Sequence, residues 1–389
     1  MHALMQEALT LKDELTAFRR ELHQNPELGT HLPQTVARVT AKLAEMNIPY
    51  HVYEDCSCVT ATIGHGGKCF LLRGDMDALP VHEDTGLPFA STNGCMHACG
   101  HDLHATMLLG AAKLLKARES ELKGTVKLLF QSGEEIFAGA KAAIDCGVLE
   151  NPKVDAAFAM HVGGNQATGT ALFGEYTMAA VYGFRMTLTG KGTHGSTPEN
   201  GIDPINTGVH IYLALQELIA REVSALDEAS LTIGRFEAGK VANVIPNSAV
   251  LEGTLRTFKP ATTEYLRARI DEVAKAVAAT YRTKIDIEVL SKVPATICNS
   301  ALNEECKASM SAVDPDMKIS DDFHAMGSED FAFISEKVPS CYTFIGAGLP
   351  DPSKWIGHHN PHVVFEESVL PRGAAIYAKT AVDWLEKHC

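Results

Sequence analysis

Apolar and polar positions follow two rhythms along this chain, and the switch between them marks its organisation. The N-terminal stretch MHALMQEALTLKDELTAFRRELHQNPELG reads as an amphipathic helix with a closing turn, and TVARVTAKLAEM repeats the helical spacing. Two runs of strand character follow, CVTATIG (58–64) and CFLLRGDMD (69–77). ATMLLGAAKLLKA (105–117) predicts a helix with Met107, Ala111, Leu114 and Leu115 on one face. GTVKLLFQSGEE (124–135) predicts a buried strand running into a loop, AGAKAAIDCGVL a helix, and VDAAFAMHV (154–162) another strand. Strands alternating with helices predict a mainly parallel sheet covered on both faces.

Around Ala180 the rhythm changes. AVYGFRMTLTGK predicts an alternating strand, and residues 203–222 a helix. ASLTIGRFEAG and VIPNSAVLEGTLRTF predict two more strands, residues 261–281 a long helix, and KIDIEVLS (284–291) a last strand. This β-α-β-β-α-β order is that of a ferredoxin-like α+β unit of about a hundred residues. From NEECKASM onward the first rhythm resumes. The expected fold class is therefore α/β: a discontinuous domain over 1–180 and 295–389, with a smaller α+β domain inserted over 181–294.

Composition narrows the function classes. With 389 residues, 46% hydrophobic and 21% charged, the chain reads as globular with more than one domain. A net charge of −14 argues against nucleic acid or an anionic membrane as partner, since both need clustered Lys and Arg. No apolar run approaches the ~20 residues of a membrane span. Glu7, Lys12, Asp13 and Glu14 stand where a signal peptide needs an apolar core, so a cytoplasmic location is expected. The ten cysteines are then mostly reduced thiols. Neither Cys56/Cys58 nor Cys95/Cys99 has the C-x-x-C spacing of a redox pair, which speaks against a thiol redox protein.

The stretch MHACGHDLH (96–104) packs three histidines, a cysteine and an aspartate into nine residues. Its interest grows with what the predicted strands carry at their ends. FLLRGDMD ends in Asp75 and Asp77, VKLLFQSGEE in Glu134 and Glu135, and AAFAMH in His161, while CYTFIGAG leads to a loop holding GHHNPH. Ligands of open parallel sheets sit beyond the carboxyl ends of the strands, so these loops can share one crevice. Singly each has a plainer alternative. Cys99 could be a buried thiol, Asp102 an N-cap, His161 a core residue and the double Glu a surface pair. Together, carboxylates, imidazoles and one thiolate form a donor set suited to Zn²⁺, Mn²⁺, Co²⁺ or Ni²⁺ rather than Mg²⁺ or Ca²⁺. From an extended segment Glu134 and Glu135 point opposite ways, so one can bind metal while the other acts as general base.

At these residues the sequence resembles the M20 metallopeptidase family, in its amidohydrolase branch of hippurate, auxin-conjugate and N-acyl amino acid hydrolases. The likeness runs nearly end to end, through RRELHQNPELG, RGDMDALP, HACGHDLHATMLLGAA, GTVKLLFQSGEE, GKGTHGSTPENGIDPI, ANVIPNSAVLEGTLRTF, MGSEDFAF and HNPHVVFEE. The resemblance implies two divalent metal ions, Mn²⁺ or Zn²⁺ foremost, held by Cys99, His101, Glu135, His161 and His359. His358 and His362 stand beside His359 as alternatives. It implies Glu134 as general base, Asp75 and Asp77 as supports behind the ligands, and His104 as structural.

The inserted domain would be a lid through which two chains form a homodimer. His194 there would hydrogen-bond the scissile carbonyl oxygen, and Asn243, with Arg256 as a weaker candidate, would hold the substrate carboxylate. Without the resemblance, His194 could be a turn residue and Arg256 a surface strand residue. The implied activity is hydrolysis of N-acyl amino acids to a carboxylic acid and a free amino acid. A dipeptidase or carboxypeptidase of the same fold is the nearest alternative, and a non-catalytic metal-binding protein a more distant one.

Overall fold

The computed structural model describes residues 2–389 and divides the chain into two compact units. The first comprises Met1–Thr177, Thr296–His324 and Asp330–Cys389, and the second Met178–Ala295 with Ala325–Glu329.

The first unit is built on an eight-stranded mixed sheet. From one edge to the other run Tyr50–Tyr53, Cys58–Gly64, Thr125–Gln131, Cys69–Asp75, Ala156–Ala167, Ser340–Gly348, Thr170–Leu172 and Lys318–Ser320. The four central strands are parallel to one another, as the alternation of strand and helix predicts. The strands Tyr50–Tyr53 and Cys58–Gly64, joined by a short turn, run antiparallel on one side. Thr170–Leu172 lies antiparallel to Ser340–Gly348 on the other. The central strands Cys69–Asp75 and Thr125–Gln131 are buried throughout, which is why their sequences read as continuous apolar runs rather than alternating ones.

The helix His101–Lys116 crosses this sheet, and all but two of its residues are buried, between the sheet and the C-terminal helix Val369–His388. It begins four residues before the expected start. Its N-cap position is Gly100, at φ +88° in the left-handed region, where a Cβ would also lie 2.5 Å from Val162 Cγ2.

Asp102 therefore does not cap the helix. It sits in the first turn as a buried charge, accepting from Arg19 Nε at 2.7 Å and from His23 Nδ1 at 2.8 Å. The other nitrogen of His23, Nε2, reaches Glu83 Oε1 at 3.1 Å. Both ring nitrogens face carboxylates, an arrangement that favours the imidazolium and ties the helix Lys12–Gln24 to the helix His101–Lys116 and to the loop after residue 80. The N-terminal stretch itself forms two helices, Ala3–Thr10 and Lys12–Gln24, broken at Leu11.

Burial opposes the charge on His23, but Asp102 and Glu83 outweigh it and raise its pKa above 6.5. The linked stability is thus fully present below the unfolded pKa and fades as pH rises through the folded one. His23→Gln should cost about 3–5 kcal/mol at pH 6, because it removes one partner from a buried ion pair. Urea unfolding at increasing pH should show the gap to the wild type narrowing above neutrality. A gap independent of pH would mean that His23 is held neutral.

The second unit is a four-stranded antiparallel sheet in the order Ala229–Ala238, Ser248–Thr257, Ala180–Thr189, Lys284–Val293. The helices Pro204–Glu222 and Pro260–Thr280 pack on it over a separate core that includes Phe184, Leu215, Leu251 and Ile270. The first of these starts as its Asp-Pro pair dictates, with Asp203 Oδ1 accepting from Ile205 and Asn206 N–H. This strand and helix order is the ferredoxin-like one.

Candidate metal centre

The side chains of the first unit that could hold a metal meet where the parallel strands end. Arg73 pairs with Ala159, which puts Asp75, the last residue of its strand, at the level of His161 on the neighbouring one. His161 is not itself a strand end. Its strand continues to Ala167, and His161 pairs with Phe344 in the middle of it. Its side chain emerges there because the adjacent strand has already stopped.

Main-chain acceptors set the histidine tautomers. His101 Nδ1 lies 2.9 Å from the carbonyl of Asp77, and His161 Nδ1 lies 2.8 Å from the carbonyl of Val162. A carbonyl can only accept, so both Nδ1 atoms carry a proton, and Nε2 is the atom each ring turns to a prospective ligand. His101 Nε2 is buried without a hydrogen-bond partner, and His161 Nε2 stands 3.4 Å from Cys99 Sγ. His104 is the other way round. Val162 N–H donates to its Nε2 at 2.9 Å, leaving Nδ1–H for Asp75 Oδ1 at 2.5 Å. That ring braces the site and offers it no free nitrogen.

Asp75 is further pinned by Arg73, at 2.5 Å, and Arg73 in turn donates to Gln131 and Asp330. Burial works against the Asp75 charge, but Arg73, His101 and His104 hold its pKa well below the carboxylate norm.

Asp77 organises the turn that carries the two glutamates. Its carboxylate accepts the Glu134 N–H at 3.1 Å and the Glu135 N–H at 3.2 Å. The turn is opened by Gly133 at φ +68°, where a Cβ would come within 2.6 Å of Thr30. This corrects one expectation from the sequence. The segment is a turn rather than an extended strand, and so both carboxylates reach the same place. Glu134 Oε2 is 3.9 Å and Glu135 Oε1 3.8 Å from His101 Nε2.

His359 also stands in the left-handed region, at φ +62°, with its N–H bonded to the carbonyl of Ala98 at 2.9 Å. That bond ties the HHNPH loop to the cysteine motif and leaves His359 Nε2 3.5 Å from Glu135 Oε2. Its neighbours are engaged elsewhere. His358 Nε2 accepts from Gly164 N–H at 3.4 Å while its ring stacks on Phe365, and His362 Nδ1 donates to the carbonyl of Asp84 at 2.6 Å.

The donor atoms fall into overlapping groups, each within 4.8 Å: Cys99, His101 and His161; Cys99, Glu135 and His359; His101, Glu134 and Glu135. Their electrostatics call for a cation. Burial opposes charge on His101, yet Asp75 and Asp77, with Cys99, raise its pKa well above 6.5. Burial, together with Asp77 and Asp75, pushes Glu135 up to about 7, and burial and Glu135 hold the Cys99 thiol well above 9. Glu135 Oε1, like His101 Nε2, is buried with no partner. A divalent ion would satisfy both orphans at once and displace the thiol proton. Two imidazoles with free Nε2, one thiol and a carboxylate fit such an ion well.

In the second unit, His194 and Asn243 lie on one exposed two-stranded ribbon. Thr193–His194 pairs with Val244–Ile245, and Gly195 N–H donates to the carbonyl of Asn243 at 2.8 Å. Arg256 is half-buried, and its Nη1 donates to the carbonyl of Met326 at 2.7 Å and to Ser328 Oγ at 3.3 Å. Burial lowers its pKa. One contributor escaped the sequence reading. The Arg19–Asp102–His23–Glu83 network spans chain separations that no motif spacing reports.

An α/β unit with this donor set at its strand ends defines a metallohydrolase, and the comparisons name its kind. The profile of peptidase family M20/M25/M40 matches residues 71–383. The chain is 37% identical to the IAA-amino acid hydrolase ILR1-like 4 of Arabidopsis thaliana, over 96% of this chain and 86% of that protein. It is 36% identical to the N-acetyl-L-cysteine deacetylase of Bacillus subtilis (strain 168), over 96% and 89% respectively. Among solved structures it matches the Bacillus subtilis YXEP protein, a dinuclear metal binding peptidase from the M20 family. That match has a TM-score of 0.83 and 32% identity and covers 97% of this chain and 99% of that one. This chain belongs to peptidase family M20/M25/M40, and with it to the metal-dependent amidohydrolases and peptidases.

Proposed function

We propose that the chain hydrolyses the amide bond of N-acyl amino acids, releasing a carboxylic acid and a free amino acid. Cys99, His101, Glu135, His161 and His359 would hold two divalent ions, Mn²⁺ or Zn²⁺ foremost and Co²⁺ or Ni²⁺ also fitting the donors. One observation carries the reading: His101 and His161 both commit Nδ1–H to main-chain carbonyls and meet at the same buried thiol, with Glu134 and Glu135 beside His101 Nε2. The names of the relatives, a hydrolase of amino acid conjugates and a deacetylase of an N-acetylated amino acid, support the substrate class.

When bound, a divalent ion supplies Lewis-acid polarisation of a carbonyl and acidifies water toward neutrality. The chain's own residues do the rest. Glu134, with its backbone held by Asp77, takes a proton from the attacking water and delivers it to the departing amine. His194 donates to the oxygen on which negative charge develops, a contribution of ~3–4 kcal/mol for a well-placed donor. Asn243, with Arg256, receives the substrate carboxylate. Asp75, Asp77 and His104 keep the ligands in place.

The second unit serves as a lid and as the surface through which two chains form a homodimer. Ten unpaired cysteines among the described residues, seven of them buried, fit a reducing compartment, the cytoplasm. No helix among the described residues is long and apolar enough to cross a membrane.

The test is amino acid release from a panel of N-acyl amino acids and dipeptides, using protein stripped of metal and reloaded with Mn²⁺ or Zn²⁺. Metal-dependent release from the N-acyl compounds is expected. Preference for dipeptides would move the enzyme to the peptidase side of its family, and silence with metal bound would overturn the substrate class.

A further inference from the structure

The turn that carries His194 is held on every side by its main chain. Besides its pairing with Val244–Ile245, Gly192 N–H donates to Asn247 Oδ1 at 2.8 Å and Thr197 N–H to the carbonyl of His194 at 2.9 Å. The backbone is thereby placed, but an exposed imidazole on it could still rotate and exchange its proton between two nitrogens. Ser196 removes that freedom. Its N–H donates to His194 Nδ1 at 3.1 Å, and its Oγ lies 2.7 Å from the same nitrogen.

A backbone N–H can only donate, so Nδ1 carries the lone pair and Nε2 carries the proton. The serine hydroxyl, facing that lone pair, donates a second hydrogen bond. His194 is thus the opposite tautomer to His101 and His161, whose Nδ1 atoms face carbonyls.

We infer that Ser196 is a positioning residue, which holds His194 as the neutral tautomer with Nε2–H outward and fixes the plane of the ring. The inference rests on the reading of His194 as the donor to the scissile carbonyl, and it sharpens that reading. A ring held this way presents a proton and no lone pair to the substrate. It stabilises the oxyanion and cannot take the proton of the attacking water, which leaves that task to Glu134. The same hold orders the donor before substrate arrives, so the bond to the oxyanion carries little reorganisation cost.

The experiment uses the zinc-loaded full chain labelled with ¹⁵N-histidine, with the His194 signals assigned by their loss in His194→Ala. Nδ1 should resonate as an unprotonated ring nitrogen and Nε2 as a protonated one. In Ser196→Ala, which keeps the backbone N–H on Nδ1 and loses only the hydroxyl bond, both signals should move part of the way toward the average of the two tautomers. With one of two hydrogen bonds gone, kcat should fall about fivefold while KM changes little. Ser196→Thr, which keeps the hydroxyl, should restore both the spectrum and the rate.

A proton on Nδ1 in the wild type would overturn the inference outright. So would Ser196→Ala with unchanged spectrum and rate while His194→Ala loses activity, in which case the donor role of His194 stands without Ser196. Full activity in His194→Ala would instead remove the donor role itself, and the inference with it.

Discussion

Glu134→Gln enzyme, fully loaded with metal, should turn over its substrate about 10³–10⁴-fold more slowly than the wild type while keeping its metal content and stability. The substitution preserves the size of the side chain and the backbone bond to Asp77, and it removes the buried carboxylate to which the proton transfer is assigned. Its effect should fall on kcat, since Glu134 has no part in holding the substrate. Metal analysis alongside saturation kinetics separates this from a ligand role. Retention of a tenth of the rate would show that another group moves the proton. Loss of metal together with rate would make Glu134 a ligand, a sharp question because both glutamates approach His101 Nε2 to nearly the same distance.

The second large effect is expected at a residue that touches neither water nor substrate. Asp77→Ala should lower metal affinity by about 10–100-fold, the usual consequence of losing a group that orients a ligand. Here one carboxylate fixes the backbone of both Glu134 and Glu135, so kcat should fall as well even at saturating metal. Asp77 also approaches His101 Nδ1, with Oδ1 at 3.4 Å, although the hydrogen bond to that nitrogen belongs to its main-chain carbonyl. That carbonyl survives the substitution, so some metal binding should remain. Competition with a chelator measures the affinity. Unchanged affinity and rate would reduce Asp77 to a solvent-excluded turn residue.

Much of the fold was legible in the chain because burial writes itself into sequence. The continuous apolar runs at 69–75 and 125–131 announce strands covered on both faces, and the spacing from Met107 to Leu115 announces the helix that covers them. The sheet's antiparallel edges were less legible. A strand paired on one side shows the same residue types whichever way its neighbour runs, so Cys58–Gly64 carries no mark of its direction. The start of the metal-motif helix was also hidden, since its opening turn, His101 to His104, is polar and yet fully buried. Periodicity cannot register a polar residue that is inside because it is paired.

The candidate site divides along the same line. The residue types and their positions at strand ends were present in the order of the letters, and so was the coincidence that five such segments could share one crevice. Three histidines within five positions of one loop look alike as letters. The structure distinguishes them by the left-handed turn at His359 and by the carbonyl and N–H groups that occupy His362 and His358.

By itself, then, the sequence determined the class of fold, the kind of donor atoms and the family, because these depend on local pattern and composition. Tertiary structure alone decided which nitrogen of each histidine carries the proton, that Asp102 is an ion-paired anchor rather than a cap, and that Glu134 and Glu135 converge. Those properties belong to hydrogen bonds between residues far apart in the chain, or to one backbone turn whose φ the letters only permit. A side chain's chemistry is written in the sequence, but its protonation and its aim are set by whichever partner the fold places against it.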